Sequence, residues 1–136
     1  MSYAAVTKQA TRYKEAEVMS ATPGQLVLTI FDHILVNLSR ARLRLDDRDG
    51  TQRSEVLERA RAGLTELLVT LDRQRGGDIA TNLASLYVFW LSELSVIGVK
   101  PNAQRLDAII AMITELRSAF GEVVATATPP TTLAVS

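Results

Sequence analysis

His33 is the only histidine in the chain, and it follows Asp32 directly. A histidine next to a carboxylate could take part in proton transfer or metal binding. A metal site needs several histidine, cysteine or acidic ligands converging on one point. A di-iron site in a helical bundle needs Glu-x-x-His pairs on two helices, which one histidine cannot supply. His33 therefore reads as a surface or boundary side chain.

The acidic stretch Asp46-Asp47-Arg48-Asp49-Gly50-Thr51 invites a calcium reading. With Gly50 as the turn glycine at the sixth loop position, the first position is Leu45 and the twelfth is Val56. Neither offers an oxygen ligand, so the stretch reads as a helix-to-helix turn. Gly76-Gly77 before a helix start could hold a phosphate at the positive end of the dipole. It lacks the lysine-serine pair, the G-x-G-x-x-G spacing and a preceding strand, and Asp78 adds negative charge there. No cysteine is present, which removes disulfide and thiol chemistry and suits a reducing compartment. No Ser-His-Asp or Cys-His set can be assembled. The expectation is no enzyme activity, no metal and no cofactor.

The 136 residues suit one domain with one core, and 47% of them are apolar. Fifteen basic residues balance fifteen acidic ones, so no long-range field draws nucleic acid or an anionic membrane. No run of eighteen apolar residues occurs, and no charged n-region precedes an apolar block at the start. These features predict no membrane span and no signal peptide.

Apolar spacing predicts four helices. Thr22-Pro23-Gly24-Gln25 reads as a capping box with proline at the first helical position. The helix it opens runs to about residue 46, with Val27, Ile30, Phe31, Ile34, Leu38, Ala41 and Leu45 as its core stripe. A second helix covers about 52–75 through Leu57, Ala60, Leu64, Leu67, Leu68 and Leu71, with Gly76 and Gly77 ending it. A third covers about 78–98, with Ile79, Leu83, Leu86, Tyr87, Trp90, Leu94 and Ile97 as its stripe. A fourth starts after Asn102 and covers about 103–124 through Leu106, Ile109, Ile110, Ile113, Leu116, Phe120 and Val123. Short connections between four such helices predict an all-α, antiparallel up-down four-helix bundle at 20–125. Residues 1–19 form an N-terminal arm or short helix. It is either a frayed terminus or an arm that folds Tyr13 and Val18 back onto an apolar groove. Residues 126–136, rich in proline and threonine, read as a flexible tail.

The third helix is too apolar for a single core stripe. Val36, Leu43, Val69, Val88, Phe89 and Leu91 exceed what a four-helix core needs. They are ordinary surface scatter, cover for a further element, or a groove for an amphipathic segment. For a groove, the candidates are Val69, Val88, Phe89 and Leu91. A self-associating bundle that uses the same spare face for a homodimer is the alternative.

Several stretches resemble the flagellar export chaperones of the FliS family. These are Tyr13 with the run from Val18-Met19-Ser20-Ala21-Thr22-Pro23 to Phe31-Asp32; Leu67-Leu68-Val69-Thr70-Leu71-Asp72; Gly76-Gly77-Asp78-Ile79-Ala80-Thr81-Asn82-Leu83 with Leu86-Tyr87; and Leu116-Arg117-Ser118-Ala119-Phe120. The resemblance covers about 13–124. Phe120 stands where the family often has tryptophan, and His33 where it often has glycine. The resemblance implies a cytoplasmic helical bundle that binds the disordered carboxy-terminal segment of flagellin. It implies that this binding prevents premature polymerisation and assists delivery to the export gate. It also implies that Tyr13 belongs to an arm able to cover a hydrophobic pocket on the bundle.

Overall fold

A computed structural model describes residues 22–127. Four helices follow one another: α1 Pro23–Leu43, α2 Thr51–Thr70, α3 Arg73–Val99 and α4 Ala103–Ala127. They form the expected antiparallel up-down bundle, and no strand occurs among the described residues. The arm with Tyr13 and Val18 lies outside the described residues, as does the tail beyond 127. Helix α4 continues two residues into the stretch expected to be tail.

Each helix starts on a side chain or turn that supplies its first backbone donors with acceptors. At α1 the capping box is complete. Thr22 Oγ1 accepts from the Gln25 amide at 3.2 Å, and Gln25 Oε1 accepts from the Thr22 amide at 3.0 Å. Before α2, Asp49 Oδ1 accepts from the Thr51 hydroxyl at 2.6 Å and from its amide at 3.0 Å. Those two bonds hold the Asp49 carboxyl below its ordinary range, the hydroxyl bond contributing most. Before α4, Asn102 Oδ1 accepts from the Arg105 amide at 3.0 Å.

The junction of α2 and α3 corrects the sequence reading. The second helix ends at Thr70, not at 75. Leu71 turns extended (φ −63°, ψ 127°), and Asp72 caps the next helix by accepting from the Arg75 amide at 3.1 Å. Arg73 and Arg75 therefore open α3 rather than closing α2. An aspartate with an extended backbone is a strong helix start, and it pre-empts the glycines. Gly77 instead kinks α3 one turn in, at φ 51°, ψ −128°. Only glycine adopts that conformation without strain. The long rod of α3 thus begins after Gly77, near the expected residue 78. The first helix also ends earlier than expected, at Leu43, and residues 44–46 form a turn.

The core joins Phe31, Ile34, Leu38, Ala41 and Leu45 to Leu57, Ala60, Leu64 and Leu67. Tyr87, Trp90, Leu94 and Ile97 of α3 complete it with Leu106, Ile109 and Ile113 of α4. Helix α1 packs most extensively against α2, then against α4, and α2 packs on α3. A Cβ placed on Gly63 would meet Ile34 Cγ1 at 2.6 Å, so the absent side chain sets how closely α1 and α2 approach. Arg42–Asp107 (2.8 Å) and the two-pronged Arg117–Asp32 pair (2.9 and 3.2 Å) join α1 to α4. The fork on Asp32 raises the Arg117 pKa. The seam between α3 and α4 is the least packed of the four.

Candidate functional site

By length and composition α3 could cross a membrane. Its buried face accounts for only part of that apolarity. Ala80, Ala84, Tyr87, Trp90, Leu94 and Ile97 point into the bundle. Ile79 and Leu86, expected in the core stripe, do not: they are 72% and 38% exposed. Ala80 and Ala84 are buried at the kinked end of the helix, in place of those larger side chains.

The exposed side chains are not scattered. Ile79 and Leu86 are seven residues apart, and Phe89 and Val96 are also seven apart. Two helical turns separate the members of each pair, so each pair shares an edge, and the edge of Leu86 faces α4 across a cleft that both helices line. The Glu93–Arg105 pair at 3.3 Å bridges the same edge to α4. On α4, Met112, Leu116, Ala119 and Val123 recur at spacings of four, three and four. Val123, expected in the core, is 60% exposed. Leu86, Trp90, Met112, Glu115, Leu116 and Ala119 line a cleft of about 320 Å³ between the two helices.

This seam is a shallow furrow with apolar walls and a tryptophan floor. Trp90 is 1% exposed, and its ring lies 6.0 Å from that of Tyr87 at a tilt of 45°. Its indole N–H is buried with no hydrogen-bond partner. An unpaired buried donor costs about 1–3 kcal/mol. Glu115 puts a carboxylate on the rim. Such a surface suits a segment that presents apolar side chains at helical spacing and lays them between two rods.

The four residues expected to form a groove take different positions. Phe89, one turn beyond Leu86, is exposed and does not line the α3–α4 cleft. Val88 is adjacent in sequence and therefore about 100° away around the axis. It is exposed beside Leu91. Leu91 is half-buried against the core rather than free. Val69 is exposed on α2. None of the four lines the cleft between α3 and α4. Sequence reasoning missed Met112, Glu115 and Ala119. The signal for the α4 wall was the spacing of Met112 and Ala119 about Leu116, one step round from the core stripe.

The polar candidates lie outside the α3–α4 cleft, and His33 and Asp32 line a separate surface cleft with Arg40 and Arg59. His33 is exposed; Asn37, one turn on, is buried and donates to the His33 carbonyl at 2.8 Å. No group of three histidine, cysteine or acidic side chains that could hold a metal occurs among the described residues.

The profile of the family described as "Flagellar protein FliS" matches residues 6–127. The chain belongs to the FliS family. It is 33% identical over 110 residues to the flagellar secretion chaperone FliS of Salmonella typhimurium, covering 80% of this chain and 82% of that one. It is 29% identical over 111 residues to the flagellar secretion chaperone FliS of Campylobacter jejuni, covering 82% and 87%. A crystal structure of a bacterial flagellar chaperone has the same fold, with a TM-score of 0.71 at 18% identity, covering 88% of this chain and 98% of that one. This FliS-family bundle thus sits among flagellar secretion chaperones.

Proposed function

We propose that this FliS-family protein is a cytoplasmic export chaperone whose α3–α4 furrow binds the carboxy-terminal segment of flagellin. The observation that carries the reading is the apolar edge of α3. It is left uncovered in the bundle, and a matching wall on α4 faces it. Free flagellin ends would bury their apolar faces against one another in a filament. A chaperone that offers an equivalent surface first blocks that polymerisation and keeps the client ready for the export gate. Folding a disordered segment onto the furrow costs roughly 2–5 kcal/mol of the gross interaction in ordering. That cost keeps the complex releasable without nucleotide hydrolysis. The action is holding rather than catalysis.

Val69, Val88, Phe89 and Leu91 belong within this reading to a client path that wraps beyond the furrow toward α2. The arm carrying Tyr13 and Val18 competes for the furrow. Deleting residues 1–18 therefore tightens binding of a recombinant flagellin carboxy-terminal segment and leaves helicity unchanged. A truncated chain that unfolds, or binds more weakly, contradicts the competing arm.

Met112→Asp tests the furrow itself. The exposed position tolerates the charge, so helicity persists, but co-purification of flagellin is lost. Normal co-purification places the client elsewhere. A variant that turns from dimer to monomer without losing flagellin assigns the furrow to a second copy of the chain.

A further inference from the structure

The floor of the α3–α4 furrow holds a donor with nothing to donate to. The Trp90 Nε1–H is buried and unpartnered, although native interiors rarely leave such a group unpaired. The cleft that Trp90 lines is otherwise made by Leu86, Met112, Leu116 and Ala119, none with a side-chain oxygen or nitrogen acceptor, and by Glu115, which makes no bond to the indole. Trp90 thus lies at the seam where the helices touch least. Near the α3–α4 turn Glu93 and Arg105 hold that seam, and Met112 with its flexible thioether covers it further along.

On the reading that flagellin's carboxy-terminal segment occupies this furrow, we propose that the client parts the α3–α4 seam and places a neutral side-chain oxygen on the Trp90 N–H. Trp90 is then a specificity residue. The furrow selects a segment whose apolar stripe is interrupted by one carboxamide or hydroxyl, from Asn, Gln, Ser or Thr, set between its anchors. A helical client uses its own main-chain carbonyls internally, so a side chain must supply the acceptor. A carboxylate is disfavoured there, because it would lose its water beside the negative Glu115. A stripe of leucine and isoleucine alone would leave the indole N–H unpaired in the complex.

The chain has a single tryptophan, which makes the test clean. Trp90 is replaced by 3-benzothienylalanine, in which sulfur takes the place of the N–H at nearly unchanged shape. A recombinant flagellin carboxy-terminal segment is the probe. The substituted chain melts at the same or a higher temperature. Its Kd for the segment rises about fivefold, the worth of one net hydrogen bond. Trp90→Phe, which also lacks the donor, weakens binding in the same direction and serves if the analogue cannot be inserted. In the native chain, the single indole cross-peak in a proton–nitrogen spectrum moves downfield on binding and exchanges with water more slowly. Unchanged affinity in the substituted chain, with a stationary indole peak in the native one, overturns the proposal. Leu86→Asp separates that failure from failure of the furrow. If Leu86→Asp binds the segment as tightly as the native chain, the client is not in the furrow at all.

Discussion

The two sides of this bundle are built from the same kinds of residue to opposite effect. Where α1 meets α2, Ile34 sits against a glycine, and Ile34, Leu38, Ala60 and Leu64 are fully buried. Where α3 meets α4, side chains of similar size stay partly in water, and an unbonded indole lies below them. Burial on the first side holds the fold. On the second side the burial is incomplete, and a partner could complete it. Apolar content alone does not separate a core face from a binding face; how fully the facing rods pack does.

The comparison is broken most forcefully in the tight half. Ile34→Ala should cost about 2–5 kcal/mol of unfolding free energy, since it empties a fully packed site. Met112→Ala should cost under about 1 kcal/mol, because Met112 already lies at the furrow surface and leaves no enclosed cavity. Urea unfolding monitored by circular dichroism checks both. Equal losses would mean that the α3–α4 seam is packed like the core.

A smaller effect sharpens the comparison within α3 itself. Burial pushes the Tyr87 hydroxyl above its ordinary value of 10.0. The folded chain then keeps the phenol proton at pH values where the unfolded chain has lost it. Tyr87's stabilising share is fully present below the ordinary value and falls as pH rises through and beyond it. The urea midpoint should therefore drop in that alkaline window for the native chain. The drop should shrink in Tyr87→Phe. A window that is unchanged in Tyr87→Phe would place the alkaline loss in other groups.

Much of the bundle was legible because capping chemistry and helical spacing act locally. Thr22-Pro23-Gly24-Gln25 and Asn102 announce their helices, and the structure supplies the expected bonds. The α2–α3 junction was misread because glycine is a strong punctuator. Asp72 acts one turn earlier, and only the geometry shows which signal ends α2. The furrow was half legible. The surplus of apolar residues on the third helix follows from counting and spacing. The placement of Ile79, Leu86 and Val123 does not. Their spacing suits the core stripe equally well, and whether such a side chain is covered depends on how fully α3 packs against α4. Leu91 shows the converse: counted as surplus to the core, it is half-buried against it.

Site-specific photo-crosslinking tests the account's central claim most directly. A benzophenone side chain is placed at Met112 in the furrow or, in a separate protein, at the exposed Val36 of α1. Each protein is irradiated with the flagellin carboxy-terminal segment. The account predicts a covalent adduct from position 112 and none from position 36. An adduct from position 36 alone would contradict it.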